Sequence, residues 1–335
     1  MNTSLNRNAW TLVGAMLLGI LALGLYSTEF NMSSFGITIL SGLFQAMLLF
    51  LIASGLSIIF GLMDILNFAQ GAYFMVGAYI AYDVMHPTGT INLTSTIPDP
   101  NLRFITGILL AILAGTLLGI FLERVLLRPL YSRPLFQLVL TFGVSIVMLE
   151  GIKSIWSTTP YAWTEGFSIR NADFAFLGQS FGAYRLFVIV VGFLLIFGIA
   201  LLLRRTRIGI IIRAGVEDPE MVSSLGINVR AVFTLVFTLG CAVAAFGGAI
   251  AAPFLGATIS MGSTFLIQAI AVIVLGGLGS YEGTAIGSIL LGLSLATMQQ
   301  FSLNVNLPVL ATITPMLLLI IVLLFRPQGL FGEER

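Results

Sequence analysis

Ten stretches of this chain are apolar over the length that crosses a bilayer, about 20 residues for about 30 Å of hydrocarbon. They fall at 10–26, 36–60, 65–84, 104–123, 135–157, 185–203, 230–255, 263–279, 284–302 and 308–325. In lipid every backbone N–H and C=O needs a partner, and a helix supplies those partners within the segment. A water-soluble fold is excluded by composition. Of 335 residues, 58% are hydrophobic and only 9% are charged, with a mean hydropathy of +1.06. A soluble domain wets its surface with about a quarter charged residues. The expected fold is therefore an all-α integral membrane protein: one polytopic transmembrane domain over residues 1–335, a bundle of about ten transmembrane helices. The pairs 36–84 and 263–302 are each joined by a short glycine-containing break, so some of these helices are expected to be broken or re-entrant. Arg7 precedes the first apolar stretch, Trp10 to Tyr26. The residues that follow, Ser27-Thr28-Glu29-Phe30, offer no small-x-small cleavage site, so the stretch reads as a retained span.

Basic residues set the orientation, because they accumulate on the cytoplasmic side. With ten spans and both termini inside, the cytoplasmic side holds eleven of the fifteen: Arg7, Arg124, Arg128, Arg133, Arg204, Arg205, Arg207, Arg213, Arg230, Arg326 and Arg335. Arg103, Lys153, Arg170 and Arg185 fall outside. Nine spans would put Arg326 on the wrong side. Two outer segments are long. Residues 85–103 are polar and turn-rich. Residues 157–184, with Trp156 just before them, carry the aromatics Tyr161, Trp163, Phe167, Phe174, Phe176 and Phe181. That composition suits an interfacial loop, a short helix lying on the membrane, or a docking surface.

Several function classes are excluded by counts. A net charge of +1 gives no field that would draw nucleic acid. One cysteine, Cys241, forms no internal disulfide, and one histidine, His86, builds no multi-histidine metal site. His86 sits beside Pro87 and is expected to be solvated. No phosphate-binding G-x-x-x-x-G-K-[ST] motif occurs; the single lysine is Lys153. No catalytic centre, metal or cofactor is expected on this chain.

The longest cytoplasmic segment, 204–230, reads RRTRIGIIIRAGVEDPEMVSSLGINVR. Asp218 suits a helix N-cap, Pro219 the first helical position and Glu220 the first turn. Met221, Val222 and Leu225 then form an apolar face, and Gly226 stops the helix. Such a helix of about two turns is marginal alone in water. It either stitches two spans together or seats in a partner.

The stretch RAGVEDPEMVSSLGINVR resembles the cytoplasmic loop of the branched-chain amino-acid permease family of ABC importers, LivH type. Three further stretches resemble the same family in matching order: GLSIIFGLMDILNFAQGAYFMVGAY (55–79), VLGGLGSYEGTAIGSILLG (274–292) and FRPQGLFG (325–332). At position 70, where members often carry His in an N-F-A-H-G run, this chain has Gln. The resemblance implies a non-catalytic permease subunit in a bacterial-type cytoplasmic (inner) membrane. Its implied partners are a second permease subunit of LivM type, two ATPase subunits that use ATP, and an external substrate-binding protein. It further implies that Arg213, Glu217, Asp218, Pro219, Met221, Leu225, Gly226 and Ile227 couple the chain to the ATPases. Branched-chain amino acids are the implied substrates, with urea, amides and small, including aromatic, carboxylates left open. A stand-alone transporter or channel would need intramembrane charges for ion coupling. The only acidic candidate within a span is Glu150, which has Lys153 one turn on and reads as an interfacial ion pair.

Polar groups inside spans face the bundle interior or a water-filled path. Ser54, Ser57, Asn67, Gln70 and Gln268 are the candidates here, either lining a translocation path or bridging helices. Asp64 is expected at a turn. Asn67 and Gln70, three apart, are expected on one helix face that Tyr73 and Gly77 continue. Gly276, Gly277, Gly279 and Gly283 predict a helix break or very close helix contact. The G-x-x-x-G spacings Gly115/Gly119 and Gly283/Gly287 predict close packing.

Overall fold

The computed structural model describes residues 3–87, 89–131, 133–217 and 219–332. Its helices are α1 (Thr3–Ser27), α2 (Met32–Met63), α3 (Gln70–Met85), α4 (Pro100–Phe121), α5 (Pro134–Trp156), α6 (Ala183–Arg205), α7 (Arg207–Glu217), α8 (Pro219–Ser224), α9 (Val229–Leu255), α10 (Met261–Gly276), α11 (Tyr281–Asn304) and α12 (Val309–Phe325). A π-helical turn (Leu122–Leu127) and a 3₁₀ turn (Arg128–Leu130) continue α4, and β1 (Asp173–Phe176) pairs with β2 (Gln179–Gly182).

Each of the ten apolar stretches contains a helix, although 65–84 is helical only from Gln70. Among the described residues, seven are long and apolar enough to cross a membrane: α1, α2, α4 with its two extra turns, α5, α6, α9 and α11. The other three stretches give shorter helices. α3 and α10 have 16 residues and α12 has 17, so each spans only about 24–26 Å at 1.5 Å per residue. The protein is a multi-pass helical membrane protein. The anticipated breaks lie at two of the short helices. α2 stops at Met63, Asp64 adopts φ +55°, and helix resumes only at Gln70. α10 stops at Gly276, and Gly277 (φ +106°) and Gly279 (φ +85°) turn the chain before α11.

The chain forms two compact units. The first comprises Met1–Phe50, Ile169–Phe193 and Gln268–Arg335; the second comprises Leu51–Ser168 and Leu194–Ile267. In the first, α1 and α12 pack on α11, and the Asn304 amide of α11 donates to the Ser27 carbonyl at 2.5 Å. The β1–β2 hairpin also belongs here. It closes through Leu177 and Gly178, both at positive φ, the geometry that suits the right-handed twist of paired strands.

In the second unit α3 is the centre, with every residue buried, and α4 and α9 flank it. The contact is backbone on backbone: a Cβ at Gly77 would stand 1.9 Å from the Ala245 carbonyl. Without a hydrophobic force between helices in lipid, such close approach supplies the dispersion contact that holds them together. The Gly115/Gly119 pair of α4 packs the same way on Cys241 and Ala245 of α9.

The outer aromatics sort by unit. Phe174 and Phe176 lie on the hairpin, which forms where a membrane-lying helix was one expectation. Trp163 and Phe167 are buried in the second unit, where Phe167 stacks on Phe104 at 4.5 Å. His86 is not solvated as expected but 2% exposed. Its ring stacks on Tyr82 at 3.8 Å, its Nδ1 lies 2.9 Å from the Tyr82 carbonyl, and its Nε2 accepts the Thr164 N–H at 3.2 Å. A carbonyl can only accept, so Nδ1 carries the proton and the ring is neutral. The sequence position beside a proline hid this, because Thr164 and Trp163, which close over the ring, lie some eighty residues further on.

Candidate functional site

The polar candidates gather in the second unit, where the α2–α3 break meets α9. Ser54, Ser57, Asn67 and Gln70 are all buried. The Ser54 hydroxyl donates to the Leu51 carbonyl of its own helix at 3.2 Å. Asn67 and Gln70 do not share a helix face, because Asn67 precedes α3 and Gln70 is its first residue. They meet instead through the turn. The Asn67 carboxamide oxygen accepts the Ala69 N–H at 3.1 Å, and its amide donates to the Gln70 oxygen at 3.2 Å. Gln70 then donates to the Gly240 carbonyl of α9 at 3.0 Å, and the Asn67 amide lies 3.9 Å from Cys241 Sγ. Gln70 joins the break to α9, and Asn67 satisfies the Ala69 N–H that the missing helical turn leaves free. Gln268, half-buried on α10, belongs to the first unit.

A charged cluster that the sequence reading missed lies on the same unit. Glu123, in the π-helical turn, is fully buried. Tyr131 donates to its carboxylate at 2.5 Å, and Arg128 Nε lies 3.6 Å away. Arg128 also reaches the Thr234 hydroxyl of α9 at 3.2 Å. Burial first, then the bond to Glu123 and its charge, push the Tyr131 hydroxyl far above the ordinary tyrosine range, with Arg128 opposing. The Tyr131 hydroxyl therefore stays a donor to the fully buried Glu123 side chain. An acid at the end of an apolar stretch, with Arg128 five residues on and Tyr131 eight residues on, was the signal for this cluster. The Glu150–Lys153 pair, by contrast, closes at 2.7 Å but stands in the open, where such pairs contribute little.

In the first unit the glycine break and the C-terminal tail form one structure. Gly276 and Gly283 pack backbone on backbone. The tail folds onto the break: Leu330 N–H donates to the Leu275 carbonyl and Phe331 N–H to Gly276, both at 2.9 Å. Arg326 closes the tail on itself by donating to the Leu330 carbonyl at 2.6 Å. Two of the four sequence motifs, 274–292 and 325–332, are thus halves of one arrangement.

The 204–230 loop contains two helices rather than one. α7 (Arg207–Glu217) carries Arg213, α8 (Pro219–Ser224) follows, and both lie against α9. The α7 helix was legible in the spacing Ile208, Ile211, Ile212 and Gly215. Asp218 lies outside the described residues, as do the side chains of Arg213, Glu217 and Pro219. α8 ends one residue before Leu225. Gly226 N–H donates to the Ser223 carbonyl and Ile227 N–H to Val222, with Gly226 at φ +82°, the paired bonds of a Schellman close. Val222 is buried at 1%, whereas Met221 is 51% and Leu225 71% exposed. Ile210 of α7 is 57% exposed. The loop is anchored by Ile212 and Val222, each 1% exposed, and presents Ile210, Met221 and Leu225 outward.

Among the described residues, no three His, Cys, Asp or Glu side chains are grouped to hold a metal ion.

Comparison with known proteins agrees with this architecture. The profile of the family described as "Branched-chain amino acid transport system / permease component" matches residues 38–325. The chain is 33% identical over 297 residues to the high-affinity branched-chain amino acid transport system permease protein BraD of Pseudomonas aeruginosa, covering 84% of this chain and 91% of that one. It is 29% identical to the permease protein LivH of Escherichia coli K12, with the same coverage. To LivM of the same strain it is 29% identical over 86% of this chain and 69% of LivM. No solved structure matches significantly. With a profile match over most of its length, the chain belongs to the permease-component family of branched-chain amino acid transport systems, whose members are non-catalytic membrane subunits.

Proposed function

We propose that this chain is the permease subunit of an ABC importer in a cytoplasmic membrane, forming half of a translocation path for branched-chain or related amino acids. A homologous LivM-type subunit supplies the other half, two ATPase subunits supply energy, and an external binding protein delivers substrate. Both termini and the 204–230 loop face the cytoplasm, in line with the eleven-to-four bias of basic residues. ATP binds the partners and not this chain.

The observation that carries the proposal is the family match over 38–325; the loop gives it a mechanism. α7 and α8 lie on α9. α9 in turn holds the α2–α3 break through Gly240 and the π-helical turn through Thr234. When the ATPases close, a push on Met221, Leu225 and Gly226 moves α9. That motion reaches both irregular segments of the second unit, the places where a helical path can change shape at least cost. Ser54, Ser57, Asn67 and Gln70 line or border the path on this unit, and Gln268 is the candidate path residue of the first unit.

The test is reconstitution of the chain in liposomes, with and without the second permease, the ATPase pair and the binding protein. Uptake of radiolabelled leucine is expected only with all components and ATP. Uptake by the chain alone would overturn the proposal in favour of a self-sufficient transporter.

A further inference from the structure

The outer half of α3 ends in a cage of aromatic rings. Tyr79 and Trp156 lie with ring centroids 5.5 Å apart, and Tyr161 stands edge-on to Tyr79 at 6.1 Å. Tyr161 is fixed from two sides. Its backbone pairs with Ala257 through two 2.9 Å hydrogen bonds, and its hydroxyl donates to the Trp156 carbonyl. Two polar atoms in this cage are buried and have no hydrogen-bond partner: the Tyr79 hydroxyl and the Trp156 indole Nε1. Tyr79 itself has no exposed surface. Buried polar groups of native proteins are nearly always paired, so two orphans on adjacent rings call for a physical reason.

The chemistry of the orphans names the missing partner. An indole N–H is only a donor, and a phenol hydroxyl donates as readily. What is missing is therefore an acceptor with room for two donors. A carboxylate is acceptor-only and has two oxygens. An ammonium group cannot satisfy Trp156, and the aromatic walls offer an aliphatic side chain apolar contact. Tyr79 lies on α3 nine residues beyond Gln70, about 14 Å along the helix, at the end that the basic-residue bias assigns to the outside.

We propose that the Tyr79 hydroxyl and the Trp156 indole N–H form a recognition point for the carboxylate of the transported amino acid. In this structure the rings pack against one another and neither donor has a hydrogen-bond partner. When the aromatic segment around Tyr161 moves away, the two donors meet the substrate as it leaves the binding protein. The inference rests on the amino-acid importer reading above and adds to it the residues that select for a carboxylate.

The conservative variant Tyr79→Phe removes only an oxygen that has no hydrogen-bond partner in this structure. A structural role predicts thermal stability unchanged or raised and uptake unchanged. The recognition role predicts unchanged stability together with a fall in leucine turnover of about tenfold or more at saturating binding protein, the size expected for a hydrogen bond to a charged group. Trp156→Phe should give a loss of the same order. The double variant should lose less than the product of the two, because both donors serve one group. All are measured in liposomes holding the complete transporter. Turnover of Tyr79→Phe within about twofold of the unmodified protein overturns the inference, as does a loss accompanied by a matching fall in stability. Absence of uptake by the unmodified complete transporter overturns the importer reading instead, and the inference with it.

Discussion

The 207–227 loop and the outer segments 86–99 and 157–168 are both polar connections on the same unit, and their surfaces are completed in opposite ways. The outer segments are closed by the protein itself. Asp83, fully buried, accepts the N–H groups of Thr90 at 2.5 Å and Ile91 at 2.8 Å. Arg103, also buried, donates to the Met85 carbonyl at 3.1 Å, and Asn101 accepts the Ser168 N–H at 3.1 Å. His86, Trp163 and Phe167 fill the space between. The inner loop leaves Ile210, Met221 and Leu225 in the open. Large apolar side chains exposed on one short loop are the kind of surface that a partner protein covers. The difference teaches that one region is completed within the chain, while the other keeps an apolar surface for the partner proposed above.

The comparison breaks most decisively at Leu225. Leu225→Asp alters a side chain that is 71% exposed, so the isolated chain should keep its fold and its thermal stability. Placed at a buried contact with an ATPase, the carboxylate should behave as a hot-spot loss of at least about 2 kcal/mol, or about thirtyfold. The expected result is loss of ATPase co-purification and of leucine uptake. Full uptake with Leu225→Asp would mean that the loop, like the outer segments, needs no partner.

The converse holds at Asp83. Asp83→Ala leaves two backbone N–H groups without their carboxylate, a loss of about 2–3 kcal/mol. The expected result is a lower unfolding temperature in detergent and faster amide exchange in 86–99, with the ATPases still bound. Unchanged stability would show that the outer segments are not held as described.

The sequence made the two regions unequally legible, for a physical reason. Span positions follow from hydrophobic run length, a property summed over about 20 residues, and each of the ten stretches contains a helix. The breaks followed from glycine and from Asp64, whose consequences are local. The end of α8 was equally local: Gly226 alone announced it. Asp83 reaches Thr90 and Ile91 within eight residues, but the bonds that join the two outer segments are not local. His86 finds Thr164 and Asn101 finds Ser168, and no spacing rule connects residues that far apart. Asn67 and Gln70 show the same limit at short range. Their spacing of three fitted a helix face, but a turn intervened and joined them by a different route. Glu123 was passed over because a single acid in an apolar run reads as a span edge until Tyr131 and Arg128 are placed around it.

The smallest effect belongs to Gly226, and it separates order within the loop from its contacts. At φ +82° a residue with a Cβ costs about 1–2 kcal/mol, yet an added Cβ would meet nothing within 4 Å. Gly226→Ala therefore strains the Schellman close without blocking the surface. The rest of the unit does not depend on that turn, so the global unfolding temperature should stay the same while amide exchange at 225–227 quickens by roughly tenfold, the equivalent of about 1.4 kcal/mol. Uptake should fall only in part, because in the proposed complex a loosened loop can still be ordered by an ATPase subunit, at the expense of binding free energy. If Gly226→Ala lowered the global unfolding temperature as Asp83→Ala is expected to do, the inner loop would be part of the closed fold, and the contrast between the two regions would disappear.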